Sequence, residues 1–141
     1  MNILVVDAQG GGVGKQLVTE IRKALPDAMV TAVGTNAAAT AAMHKAGADQ
    51  LATGENAVVV AVRKADFILG PIGIVIADAM LGEITPTMAR AIAQADAVRI
   101  LIPFSHCDTY IAGVKDVGMS ALIRDAVAEL TELITAGTAE A

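Results

Sequence analysis

The sequence predicts an α/β fold, a three-layer sandwich built on a mostly parallel sheet. Three observations carry that expectation. Ile3-Leu-Val-Val-Asp7 is a short continuous apolar run, the pattern of a strand buried on both faces. A glycine cluster, Gly10-Gly-Gly12-Val13-Gly14, follows it, and Val13, Leu17, Ile21 and Leu25 then recur at helical spacing as far as Pro26-Asp27. Met29-Val-Thr-Ala-Val33 reads as the next strand. Together they make one βαβ unit of about thirty residues, with a parallel pair and a right-handed crossover.

The rest of the chain keeps alternating. Asn36 is placed to cap an Ala-rich helix that ends near Gly47. Gln50 to Ala52 reads as a short strand, and Thr53 as the cap of a helix running through Val58-Val-Val60 to Lys64. Asp66 to Leu69 is a further strand, closed by Gly70-Pro71. Ile74 to Leu81 fits strand or helix by pattern, with helix favoured. Thr85-Pro86 is a cap followed by proline at the first helical position, for a helix ending near Asp96. Val98 to Ile102 reads as a buried strand and Cys107 to Val114 as a further one at an edge. From Met119, Leu122, Ile123, Ala126, Val127, Leu130, Leu133 and Ile134 form the apolar stripe of a last helix. One domain is expected over 1–135, with residues 136–141 frayed.

Composition narrows the function classes. The 141 residues have the length of a single domain, and 55% of them are apolar, enough to bury a core and exclude intrinsic disorder. Ten Lys and Arg against fifteen Asp and Glu leave a charge of −5. Scattered cations and three aromatic rings, two Phe and one Tyr, argue against a nucleic-acid binder. The longest apolar run, Phe67 to Ala77, is interrupted by Gly70, Pro71 and Gly73 and is about half a membrane span. Met1-Asn2 leads directly into a strand-like run, without the charged start of a signal peptide. Cys107 is the only cysteine, so no intrachain disulfide forms and a reducing cytoplasm is expected.

The glycine cluster is the strongest chemical signal. A glycine turn between strand and helix lets backbone approach an anion, and the helix N-terminus adds N–H donors and partial positive charge. Lys15, one residue past Gly14, is placed to add a full charge. Two sharper motifs fail on their letters. A nucleotide-binding P-loop needs Gly at position 9 and Ser or Thr at position 16, and both are Gln. The dinucleotide pattern also loses its first glycine to Gln9, and the second strand ends in Gly34-Thr35-Asn36 with no acidic residue for a ribose hydroxyl, which argues against NAD(P). Two readings of the loop stay open: an anion site, or a tight turn with close helix–sheet contact. Four glycines in five residues favour the first.

In open parallel sheets, ligands bind beyond the carboxyl ends of the strands. The polar residues collected there are Asp7 and Gln9, Thr35 and Asn36, Thr53, Glu55 and Asn56, and, with Gly70 after the fourth strand, Ser105 to Asp108 after the fifth. Asp7 has two equal readings, orienting a ligand hydroxyl or accepting N–H bonds from the loop. Ser105-His106-Cys107-Asp108 holds nucleophile, base and acid types side by side, but neighbouring side chains point apart, and a polar loop explains the run. His44, His106 and Cys107 are too few and too scattered for a metal site. Asp78 and Glu83 bracket an apolar segment and read as caps or solvated charges before a carboxylate pair.

Several of these segments also carry a resemblance. Asp7-Ala-Gln-Gly-Gly-Gly-Val-Gly-Lys15, Ala32-Val-Gly-Thr-Asn36, Thr53-Gly-Glu-Asn56, Gly70-Pro-Ile-Gly-Ile74, Leu81-Gly-Glu-Ile84 and Ile102-Pro103 with His106-Cys-Asp108 resemble a family of small bacterial proteins catalogued as a domain of unknown function. The resemblance implies a Rossmann-like fold and no activity, cofactor or catalytic residue. The expectation from the residues is a phosphate-bearing small molecule, with a nucleotide as one such ligand, bound by Asp7, Gln9, Gly10, Gly11, Gly12, Gly14, Lys15, Thr35, Asn36, Thr53, Asn56 and Gly70. The rival is a non-catalytic subunit that forms homo-oligomers or docks, with the loop purely structural. An enzyme using His106, Cys107 and Asp108 with Glu55 or Glu83 is a third reading.

Overall fold

The strand Asn2–Asp7 (β1) is central because five of its six residues, Ile3 to Asp7, are buried and both of its edges are paired. A computed structural model describes residues 1–103, 109–114 and 117–140, with side chains to residue 137. The helix Gly12–Ala24 (α1) leads to Met29–Gly34 (β2), Ala37–Lys45 (α2) and Gln50–Thr53 (β3). Glu55–Val62 (α3), Phe67–Pro71 (β4), a 3-10 turn at Ile72–Val75, Pro86–Gln94 (α4), Val98–Ile102 (β5) and Met119–Glu140 (α5) complete the order. The five strands form one parallel sheet in the order β3-β2-β1-β4-β5. This is the α/β architecture expected.

Alternation along β1 divides the core. Ile3 and Val5 pack with Leu17, Ile21, Met43, Ile123 and Leu130 of the layer formed by α1, α2 and α5. Leu4 and Val6 face the opposite way, onto Val58, Ile74, Met88 and Ile92 of the α3 and α4 layer. Pairing Asp7 with Gly34 and Gly34 with Thr53 brings the carboxyl ends of β1, β2 and β3 level. The sheet edge that carries the site is thus set by apolar register.

Two caps agree with the sequence. Asn36 accepts the Ala39 N–H at 2.9 Å, and Thr85 Oγ1 accepts the Met88 N–H at 3.1 Å with Pro86 behind it. Thr85→Ala is expected to lose about 1 kcal/mol of stability. Thr85→Ser should retain it; equal denaturation midpoints for all three proteins would refute the cap.

Other expectations are corrected. Thr53 ends β3 and does not cap α3; that position is Gly54 at φ 106, and Thr53 Oγ1 bonds Thr40 Oγ1 at 2.8 Å. Residues 74–81 are not a helix. After the 3-10 turn the chain doubles back, with Asp78, Met80 and Leu81 all at positive φ, and the Asp78 N–H closes onto the Ile84 carbonyl at 2.7 Å. The reversal presses Met80 so close to Gly73 that a Cβ there would lie 2.7 Å from its terminal carbon. No expected strand is formed over the described part of 107–114: Thr109 makes an isolated bridge and Ala112-Gly113 a turn. Ser105, His106, Cys107 and Asp108 lie outside the described residues. The α5 backbone is helical through Glu140, whereas the sequence expects fraying from Ala136.

Candidate functional site

The order β3-β2-β1-β4-β5 reverses direction between β1 and β4, and a crevice opens outside the strand ends at such a switch point. A cleft of about 150 Å³ occupies it, lined by Asp7 through Val13, by Pro71 at the end of β4, and by Met80. The glycine loop is its floor.

Asp7 explains how the loop is held. It is 4% exposed, the sole buried charged side chain among the described residues. Its Oδ1 accepts the Ala8 N–H at 2.8 Å and its Oδ2 the Gly14 N–H at 2.6 Å, within the first turn of α1. Burial pushes the carboxyl above its ordinary range, while the N–H groups of Gly14, Ala8 and Val13 pull it partway back; the nearby Glu83 charge raises it further. Of the two readings of Asp7, the N–H acceptor is the one its bonds express.

The glycines separate by what surrounds them. Gly11 sits at φ 74, and a Cβ there would meet the Ala39 backbone at 2.8 Å. At Gly14 a Cβ would lie 2.6 Å from Met43 Sδ, and at Gly70 only 2.4 Å from the Val6 carbonyl oxygen. These three are required by packing. Gly10 and Gly12 are different: a Cβ at either meets nothing within 4 Å among the described residues, and neither has positive φ. Among the described residues, neither N–H has a protein acceptor.

Glu83 is the site residue that sequence reasoning missed as a constituent. Its Oε1 accepts the Gln9 N–H at 2.8 Å, the Thr35 hydroxyl at 2.7 Å and the Asn36 side-chain amide at 2.8 Å. The Thr35 hydroxyl, then the Gln9 N–H, hold its carboxyl below the ordinary range. Neither a cap nor a solvated charge describes it. Nothing local in Leu81-Gly-Glu-Ile84 marks a side chain that reaches back 74 residues to Gln9.

Thus Asp7, Gln9, Gly10, Gly11 and Gly12 line the cleft; Gly14 and Gly70 stand behind it; Thr35 and Asn36 adjoin it through Glu83. Lys15 is exposed on α1 and does not line it. Thr53 is paired with Thr40, and Asn56 is exposed in the first turn of α3. No helix among the described residues is long and apolar enough to cross a membrane.

The family model of a domain of unknown function, DUF3842, matches residues 2–135, and the chain belongs to that family. Among curated proteins, none matches the sequence. A solved structure similar to this chain is a dodecameric FMN-dependent Ubix-like decarboxylase from Escherichia coli O157:H7. Identity is 15% over 92% of this chain and 76% of that one, with a TM-score of 0.47.

Proposed function

We propose that this DUF3842 protein binds a small phosphate-bearing molecule at the switch-point cleft, with the phosphate on the Gly10 and Gly12 N–H groups. One observation carries the reading: packing accounts for Gly11 and Gly14, whereas among the described residues Gly10 and Gly12 have open space at the Cβ position and no acceptor for their N–H groups. Glycine costs backbone entropy wherever the fold does not need it. Room at these two positions serves atoms that come from outside the chain. A cleft of about 150 Å³ takes the phosphate and little more, so the remainder of a nucleotide or sugar phosphate extends towards Thr35 and Asn36. The one-cysteine composition agrees with a cytoplasmic protein.

The electrostatics give the reading a signature. Among the described residues no cation lines the cleft; Asp7 lines it, and Glu83 adjoins it through Gln9. An arriving anion raises the Asp7 carboxyl further, so by linkage the Asp7 contribution to affinity grows as pH falls towards its raised value.

Titration calorimetry against millimolar inorganic phosphate, ribose 5-phosphate and AMP tests the proposal. Gly12→Val is expected to abolish binding while changing stability by only about 0.5 kcal/mol, as for an open surface position. Gly11→Val is the wrong probe, because it collides with Ala39. Lys15→Ala should leave affinity within about threefold, the effect of an exposed charge screened by solvent. If none of the three compounds binds, or Gly12→Val binds as wild type does, the proposal fails.

A second reading, association of copies of this chain, rests on the β3 edge. All four β3 residues are exposed, and beside them a hollow of about 270 Å³ is lined by Leu51, Val60 and Ala61, among others. Edge strands with apolar neighbours invite pairing with a second chain. Sedimentation at micromolar concentration decides it, and a monomer removes it.

A further inference from the structure

Three donors from two strand ends converge on one oxygen of Glu83, and this fixes the carboxylate. Gln9 follows β1; Thr35 and Asn36 follow β2. Asn36 is itself immobilised, since Nδ2 also donates to the Gln9 carbonyl at 3.0 Å and Oδ1 caps α2. The segment bearing Glu83 is pinned by the Asp78 N–H on the Ile84 carbonyl and by the Glu83 N–H on the Met80 carbonyl at 3.2 Å. Among the described residues, Oε2 has no partner, and the side chain is half-buried. A carboxylate therefore stands beside the glycine loop with one oxygen held by the protein and the other available.

Its location gives that oxygen a use. In parallel α/β sheets that bind nucleotides, an acidic side chain at the end of the strand next to the glycine-loop strand accepts the ribose hydroxyl. Here β2 ends in Gly34-Thr35-Asn36 and has no such residue of its own. Glu83 arrives there from 48 residues beyond Thr35. Gln9, which it bonds, is the neighbour of Gly10, and residues 9 to 12 span about 10 Å at most. A carboxylate bonded to the Gln9 N–H therefore stands within that reach of the Gly10 and Gly12 N–H groups, a gap that a pentose phosphate can bridge.

We infer that Glu83 is the hydroxyl acceptor of this site, its free Oε2 taking the vicinal hydroxyls of a pentose phosphate whose phosphate rests on Gly10 and Gly12. The inference rests on the phosphate reading above and narrows it to a ribose-type ligand. A fixed carboxylate accepting from a hydroxyl forms a charge-assisted bond. It also repels a second phosphate on the sugar, so a 2′-phosphorylated nucleotide is rejected.

Calorimetry with inorganic phosphate, ribose 5-phosphate and 2-deoxyribose 5-phosphate tests it. Wild type should prefer ribose 5-phosphate to its 2-deoxy analogue by roughly tenfold or more, the effect of one charged hydrogen bond. Glu83→Gln should erase that preference without weakening inorganic phosphate binding, since it takes a negative charge away from beside the cleft. Its thermal midpoint should hold, because the glutamine Oε1 still accepts from Gln9, Thr35 and Asn36. Equal affinity of wild type for the two sugar phosphates overturns the inference without any variant, as does a preference that survives Glu83→Gln; in both cases phosphate binding itself stands. Failure of all three compounds overturns the phosphate reading and this inference with it.

Discussion

Replacing Gly70 by alanine is expected to destabilise the protein by about 3 kcal/mol or more, through overpacking of the sheet centre. The added Cβ would lie 2.4 Å from the Val6 carbonyl oxygen and 2.9 Å from Ile74 Cδ1. Ile74 is a side chain with some freedom to turn. The Val6 carbonyl is backbone of β1, a strand paired on both sides, and moving it breaks the ladder with β2 or β4. Gly70 and Pro71 are themselves registered against Leu101 and Ile102 of β5, so β4 has no room to retreat either. In urea the midpoint should fall with an unchanged slope, which identifies a loss of stability in place of a change in the denatured chain. Gly10→Ala, at a position with open space, should stay within about 0.5 kcal/mol of wild type. A Gly70→Ala midpoint indistinguishable from that control would refute the packing account.

The same contrast shows which parts of the molecule are legible in the sequence. β1 and β2 can be read because a doubly buried strand has to be a continuous apolar run, and Asn36 and Thr85 because a cap is a local bond. Residues 76–84 cannot be read this way. Their conformation is set by Met80 against Gly73 and by Asp78 reaching Ile84, contacts that leave no period in the sequence. The site divides along the same line. A glycine cluster between strand and helix is visible at once, yet which glycines are open depends on Ala39 and Met43 of a later helix. Lys15 looks like a ligand by adjacency, whereas the cleft is lined by residues ahead of it and by Pro71 and Met80. Glu83 reaches the end of β2 from a distant segment, so an acidic side chain stands beside Thr35 and Asn36 in space although Gly34-Thr35-Asn36 carries none in sequence.

Asp7→Asn is expected to cost about 2–3 kcal/mol at pH 7, and the gap from wild type should widen as pH falls. The carboxylate spends one oxygen on Ala8 N–H and the other on Gly14 N–H. Asparagine has one oxygen, so a buried N–H must face its NH₂ group, at a cost of about 1–3 kcal/mol for an unsatisfied buried donor and more for the opposed pair. The pH dependence follows from burial. Wild-type Asp7 has a folded pKa raised above its ordinary value of 3.8, so between those values the folded chain holds more proton than the unfolded one. Stability of wild type therefore gains from Asp7 as pH falls through the raised value towards 3.8. Asparagine does not titrate and loses that gain. Glu83 and Asp49 act oppositely and in both proteins. Their carboxyls are held low, Glu83 chiefly by the Thr35 hydroxyl and Asp49 chiefly by the Val30 N–H with Arg22 beside it. Their contributions are present above ordinary values of 4.5 and 3.8 and decline as pH drops through the lowered ones. Urea midpoints measured from pH 7 down to about pH 3 should then show a rise before the acid decline in wild type, and the decline alone in Asp7→Asn. A gap that narrows on acidification would mean that the N–H groups of Gly14, Ala8 and Val13 outweigh burial and that the loop is held by an ordinary low-pKa carboxylate.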